Sequence, residues 1–276
     1  MAQGAMSRLF RSLALFACAA LPVSTACGAP LELRQPVKPW TLDYGMTACT
    51  AVATYGTPDR PLTLAIRPSP NGTVVRLMVV KNGEARDAFQ FELATNLGGA
   101  SAHTNGLHFR GSGTRGNIVW INVARGDLEA LRKAGEIDLD GGPLAYRLVL
   151  PSIGAVLDGL DKCNADLRDY WNVGAPADRF TRKARSLKPL AEYFSSDDYP
   201  DQANFANQGG TSRMMMMIDE TGALKDCMVE ETSGFASLDA MTCAVLLKRA
   251  KFEPALDSAG KPIRSVLTSR VVWRIG

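Results

Sequence analysis

Histidine is nearly absent from this sequence, which has only two among its 276 residues, His103 and His108. Both fall in a segment rich in glycine and asparagine, and we expect them to lie in a loop. Two loop histidines supply too few ligands for a histidine-bound zinc site and no positioned base for a serine or cysteine nucleophile. We therefore expect no catalytic residues, no metal site, no cofactor and no enzymatic activity.

An excess of charge of either sign is also missing. The chain has 31 Lys and Arg residues against 28 Asp and Glu residues, for a formal net charge of +3. This balance excludes a dedicated nucleic-acid binder, which concentrates basic charge on one face. Hydrophobic residues make up 46% and charged residues 21%, which is typical of a globular protein and excludes a disordered one.

Long apolar runs are absent as well. The best candidate, Leu13–Leu21, is much shorter than the roughly 20 residues of a membrane-spanning helix. It follows the basic residues Arg8 and Arg11, and small residues precede Cys27, so we predict a signal peptide over residues 1–26. The protein is then expected in the periplasm. A lipoprotein and an uncleaved inner-membrane anchor remain as alternatives, and only these would place the protein at a membrane.

Four cysteines follow Cys27, namely Cys49, Cys163, Cys227 and Cys243. In an oxidising compartment they are expected to form disulfides, and four cysteines allow three connectivities. Their positions favour Cys49–Cys163 and Cys227–Cys243, because each pair then lies within one expected domain.

The pattern along the chain predicts an α+β protein. Residues 30–172 are expected to form a strand-rich N-terminal domain that ends in the helix Ser152–Trp171, with Cys163 on the apolar face of that helix. Residues 173–195 carry several basic residues without apolar periodicity and are predicted to be a solvated linker. The alternative for this segment is a basic patch for an anionic lipid or polymer.

Residues 196–276 predict a small β-β-α-β domain. Its elements are expected at Thr211–Asp219, Ala223–Glu231, Leu238–Ala250 and Ile263–Ile275. The first strand contains four consecutive methionines, residues 214–217. Because side chains alternate along a strand, only two of the four thioethers can converge, which favours core packing over a Cu(I) site.

Several short motifs lie at defined spacings across residues 199–276. They are Tyr199-Pro200, Ala203, Gly210, Ile218-Asp219, Gly222, Val229, Ser233-Gly234, Leu238-Asp239, Phe252-Glu253-Pro254-Ala255 and Gly260-Lys261-Pro262. In order and spacing, these motifs resemble the C-terminal domain of TonB energy transducers. Cys227 and Cys243 fall where a subset of exported TonB-like domains carries a cysteine pair.

The resemblance implies a β-β-α-β domain whose edge strand recruits an extended peptide from an outer-membrane transporter. An exposed edge offers unpaired backbone groups to which a peptide can add as another strand. We expect Ile263–Ile275 to be this strand. The expected contact residues share one of its faces and are Val266, Thr268, Arg270 and Val272.

Two departures from the TonB pattern limit the implied function. No spanning anchor is evident, and no long Pro-rich spacer precedes the domain. The sequence therefore predicts an exported periplasmic binding protein with a protein or peptide partner. One alternative is a structural cell-envelope protein that forms a homodimer through the same edge strand. Another, if the N-terminus stays uncleaved, is an energy transducer for transmembrane transport.

The N-terminal half faintly resembles exported domains of the invasion-associated locus B type, through its strand-rich pattern and two cysteines.

Overall fold

The computed structural model describes residues 30–83, 88–110 and 116–275. From Leu31 onward these residues form one compact unit. They have the α+β fold expected from the sequence. The predicted signal peptide and Cys27 lie outside the described residues. Within the described ranges, no helix has both the length and the apolar character needed to cross a membrane.

The N-terminal half contains a ten-stranded sheet and two helices in the described part of the chain. The strands are β1 (Glu32–Arg34), β2 (Thr41–Tyr44), β3 (Cys49–Thr57), β4 (Arg60–Pro68), β5 (Val74–Asn82), β6 (Phe89–Leu97), β7 (Ala100–Arg110), β8 (Gly116–Ala124), β9 (Glu136–Gly141) and β10 (Leu144–Val149). The helices are α1 (Asp127–Ala134) and α2 (Ile153–Tyr170). The strand order is β1-β10-β9-β6-β7-β8-β5-β4-β3-β2.

This sheet curls until its two ends meet. β1 pairs with β10 at one end, and the chain then continues to β2, which pairs with β3 at the other end. Between them the Val37 amide donates to the Thr54 carbonyl at 2.8 Å. The Tyr55 hydroxyl of β3 donates to the Val149 carbonyl of β10 at 3.0 Å. The inner face is filled by aliphatic side chains from the strands, together with buried residues of α1 and α2.

The C-terminal half contains shorter elements. Three 3-10 helices lie at Ala177–Arg179, Leu190–Tyr193 and Ser196–Asp198. The regular elements are β11 (Phe180–Arg182), β12 (Arg185–Ser186), α3 (Asp201–Phe205), β13 (Gly210–Ile218), β14 (Leu224–Glu231), α4 (Ala236–Arg249), β15 (Phe252–Glu253), β16 (Ala255–Asp257), β17 (Pro262–Ile263) and β18 (Ser265–Trp273). The main sheet has the order β14-β13-β18, and α4 packs against β14 and β13.

The predicted final strand Ile263–Ile275 is too long. The chain changes partner at Arg264, because β17 pairs with β16 across the turn at Gly260, whereas β18 pairs with β13. The edge strand of the main sheet is therefore Ser265–Trp273.

Residues 177–193, within the predicted linker, contain two short strands that pair with the C-terminal half. β11 pairs with β16 and β12 pairs with β15. The Arg185 guanidinium donates to both carboxylate oxygens of Glu253, at 3.0 and 2.9 Å, and Tyr193 is buried in the C-terminal core. Strands this short leave no apolar periodicity to read in the sequence. The domain boundaries at 172/173 and 195/196 stay a prediction.

The histidines do not lie in a loop, so this expectation is wrong. Both belong to β7, and His108 is buried with its ring stacked on Phe89 at a centroid distance of 4.7 Å. Glycine and asparagine weaken the strand signal of this segment. Pairing with β6 and β8 overrides that local composition.

The structure joins the same two cysteine pairs that chain position favours. Cys49 of β3 is bonded to Cys163 of α2, with their Cα atoms 6.0 Å apart. Cys227 of β14 is bonded to Cys243 of α4, with a Cα separation of 5.4 Å. Each bond therefore fixes a helix to a strand within one half of the chain.

The four methionines of β13 join the two halves. All four are buried, with at most 1% of their surface exposed. Met214 and Met216 pack into the C-terminal core, whereas Met215 and Met217 pack into the N-terminal core. The strand is thus covered on both faces, which accounts for an uninterrupted apolar run in a short sheet.

Buried charges lie where the halves meet. Arg67 of β4 and Arg76 of β5 are neighbours in register, and Arg67 forms an ion pair with Asp226 of β14. The Arg76 guanidinium lies over the Trp120 ring, 3.7 Å from its centroid. Burial lowers the pKa of Arg76, and the charge of Arg67 lowers it further, while the carboxylates of Asp226 and Asp239 raise it. Since a guanidinium stays protonated in proteins, these two carboxylates stabilise a permanently buried charge.

A second acidic residue of β14 holds the turn between β4 and β5. The Glu230 carboxylate accepts hydrogen bonds from the hydroxyls of Ser69 and Thr73 and from the Asn71 amide, the last at 3.0 Å. Asp226 and Glu230 therefore fix β14 against the N-terminal sheet.

Removal of the long-range disulfide is predicted to cost more than removal of the local one. The Cys49–Cys163 bond spans 114 residues and the Cys227–Cys243 bond spans 16. In the chain-entropy model the two bonds are worth about 5 and about 3 kcal/mol. Urea unfolding of the C49S/C163S and C227S/C243S proteins checks this order. Equal losses in the free energy of unfolding, or a larger loss for C227S/C243S, would contradict it.

Loss of the Asp226 carboxylate is predicted to be strongly destabilising. D226N leaves Arg67 without its partner and Arg76 with less compensation, and breaking a buried pair of this kind costs about 3–5 kcal/mol. The matched control is E231Q, because the Arg213–Glu231 pair is largely exposed. It should cost no more than about 1 kcal/mol. Equal effects of the two variants on the free energy of unfolding would show that the buried pair has no special role.

Candidate functional site

The candidate site is the outer edge of β18. This strand has nine residues and, in the described part of the chain, pairs only with β13. Along such an edge, alternate residues direct their backbone N–H and C=O groups away from the sheet. These groups are available to another extended chain.

The four predicted contact residues share the face that carries Met215 and Met217. In register with β13, Val266 lies opposite Met217 and Thr268 lies opposite Met215. Arg270 and Val272 continue this face toward the end of the strand, opposite Arg213 and Thr211.

The exposure of these four residues differs. Val266 packs against the N-terminal core. Thr268, Arg270 and Val272 are exposed, and Val272 keeps 48% of its surface accessible. The first part of β18 is thus engaged by the N-terminal half, and the last two thirds are open. That these residues contact a peptide stays a prediction.

The start of β18 is anchored by Arg264. Its guanidinium lies over the Tyr170 ring at 4.1 Å from the centroid and forms an ion pair with Glu220 at 2.9 Å. The Arg264 carbonyl also accepts a hydrogen bond from the Asn172 side chain at 2.7 Å. Tyr170 is the last residue of α2 and Asn172 follows it by two positions, so the N-terminal half positions this strand. No sequence motif links them to Arg264, and sequence reasoning missed this anchor.

The end of β18 is anchored by Trp273. Its indole N–H donates to the Thr242 hydroxyl of α4 at 2.9 Å, and its ring packs edge-on against Phe194 and Tyr199. The Cys227–Cys243 bond in turn fixes α4 to β14. Both ends of the edge strand are therefore held before any partner arrives.

The opposite edge of the sheet has a different role. β14 carries Asp226 and Glu230, whose carboxylates hold the N-terminal half. The arrangement therefore leaves β18 as the edge with the more open side chains.

β18 presents backbone groups and few side chains to solvent. Across residues 30–83, 88–110 and 116–275, no group of three or more His, Cys, Asp and Glu side chains is placed to hold a metal ion. The exposed groups of β18 are backbone amides and carbonyls, one hydroxyl, one guanidinium and one aliphatic side chain.

Residues 195–275 match the model of the Gram-negative bacterial TonB protein C-terminal family. The matched segment includes β13, β14, α4 and β18, and it confirms the resemblance inferred from the short motifs. TonB C-terminal domains are non-catalytic protein-interaction domains of the Gram-negative envelope that typically contact proteins such as outer-membrane transporters. No curated protein and no solved structure matched the chain. The faint resemblance of the N-terminal half to invasion-associated locus B domains stays a prediction.

R264A is predicted to loosen the start of β18. It removes a cation–π contact and a partly exposed ion pair, which together are worth roughly 1–2 kcal/mol. Amide hydrogen exchange should accelerate at the start of β18 more than in β14. The control is R274A, at an exposed position just beyond the strand. Equal amide exchange rates at the start of β18 in the two variants would show that Arg264 does not anchor this strand.

Proposed function

We propose that this protein binds an extended peptide of an envelope or outer-membrane transport protein by adding it as a fourth strand beside β18. The observation that supports this proposal is the long, anchored edge strand with one unpaired side in a TonB-like domain. Main-chain hydrogen bonds supply most of the affinity in strand addition, and side chains set the register.

The fixed geometry of β18 favours such binding. Because Arg264 and Trp273 already hold the ends of the strand, little ordering of the protein is needed when the peptide arrives. A preorganised surface binds more tightly, since less conformational entropy is lost on association. Thr268, Arg270 and Val272 then flank the added strand and contribute to its register.

Energy transduction is not part of this proposal. It requires a membrane anchor, which depends on residues outside the described ranges. A homodimer through β18 would use the same backbone groups, and it is therefore an outcome that the experiment must separate from peptide binding.

The test uses the full mature chain and synthetic peptides from the N-terminal segments of outer-membrane transporters. Two versions of each binding peptide carry backbone N-methyl groups at alternate positions, one version for each parity. Since only alternate amides of an added strand face β18, one version should lose about tenfold or more in affinity while the other keeps it. Amide shifts in NMR titrations should concentrate on residues 266–273.

Three results would overturn the proposal. Both methylated versions could bind equally well, which excludes backbone pairing. The shifts could fall outside β18, which places the site elsewhere. Light scattering could show a stable dimer, and hydrogen exchange could show that its β18 amides are already protected. Together these results would assign the edge to a second copy of the chain.

A further inference from the structure

A cleft separate from β18 lies between the two halves. Its volume is about 530 Å³, within the range of small-molecule sites, which often occur where domains meet. One wall comes from the outer face of the N-terminal sheet and the other from α4 and the segment that precedes α3. The main apolar lining residues are Leu107, Phe109, Trp120, Tyr199, Ala240 and Met241.

The aromatic residues of this lining are held in fixed orientations. The Trp120 ring is covered by Arg76, and its indole N–H donates to the Asn122 side chain at 3.0 Å. Phe109 packs edge-on against Trp120, with ring centroids 6.4 Å apart. Tyr199 donates from its hydroxyl to the Gln208 carbonyl at 2.5 Å. Such walls are preformed for a planar apolar body, because a ligand need not reorder them.

The polar side chains at one end of the cleft satisfy each other. The Gln202 amide group accepts from the Gln90 backbone N–H at 2.7 Å and donates to the Gln90 carbonyl at 3.1 Å. The Gln90 side chain in turn accepts from the Ser237 backbone N–H at 3.1 Å. These groups close the contact between the halves and leave the interior of the cleft apolar.

Two carboxylates give the rim a negative charge. Asp197 and Asp201 both line the cleft and are exposed. The nearby Arg249 guanidinium, whose pKa the charge of Asp197 helps to raise, donates to both carboxylate oxygens of Asp198. A carboxylate rim attracts a cation and repels an anion.

We propose that this cleft binds a small amphiphilic molecule with a planar apolar body and a cationic group. The apolar body lies between Trp120 and α4, and the cationic group lies at the rim beside Asp197 and Asp201. This site does not depend on peptide binding at β18.

Three matched naphthyl probes test the proposal by calorimetry on the full mature chain. They are 2-(aminomethyl)naphthalene, 2-naphthalenemethanol and 2-naphthoic acid, which are cationic, neutral and anionic at neutral pH. The amine should bind about fivefold more tightly than the alcohol, since an exposed ion pair is worth up to about 1 kcal/mol. The acid should bind weakest. D197N/D201N should remove the preference for the amine and keep the affinity for the alcohol.

Two phenylalanine variants, one on α4 and one on α2, separate the cleft from other surfaces. A244F fills the cleft from an exposed position of its lining, and it should weaken all binding by about tenfold or more. A165F adds the same ring at an exposed position of α2 and should leave binding unchanged. The proposal is wrong if no probe binds, if the acid binds as tightly as the amine, or if A244F and A165F bind alike.

Discussion

The docking of the C-terminal half depends on two neighbouring charges on the outer face of the N-terminal sheet, Arg67, which pairs with Asp226, and Arg76. The Arg76 guanidinium lies over the Trp120 ring, and the carboxylates of Asp226 and Asp239 raise its pKa against the effect of burial. A charge in this environment is costly unless opposite charges and an aromatic face compensate it. The docked C-terminal half supplies both carboxylates, and the Arg67–Asp226 ion pair joins the two halves directly.

This docking has a direct consequence for the TonB-like sheet. The face with Met215 and Met217 is occupied by the N-terminal half, and β14 is engaged through Asp226 and Glu230. β18 is held at both ends, and the side chains of Thr268, Arg270 and Val272 between them stay exposed. The N-terminal half thus acts as a platform that orients one edge of a small sheet. The same contact encloses an apolar cleft beside α4.

Sequence reasoning predicted the parts of this structure that have local signals. The 3-4 spacing of apolar residues located α2, and the alternation along the methionine run explained why two thioethers face each way. It missed β7, whose two histidines it assigned to a loop, because glycine and asparagine are unfavourable in strands.

The rest could not be predicted because it depends on contacts between distant segments. Arg67 and Arg76 are unremarkable in the sequence, and only the register of β4 and β5 places them side by side. The Arg264 anchor joins distant segments, since Asn172 and Arg264 are 92 positions apart in the sequence. The basic residues of 177–193 predict a linker because their partners, such as Glu253, are distant in the sequence.

The account requires that the outward-facing amides of β18 be free in the protein and become bonded when a peptide binds. Residue-resolved amide hydrogen exchange of the mature chain, with and without a binding transporter peptide, measures this directly. We expect alternate amides of β18 to exchange rapidly in the free protein and to slow on peptide binding, while the amides bonded to β13 stay slow throughout. Slow exchange of all β18 amides in the free protein, or no change at the fast ones when the peptide binds, would contradict the account.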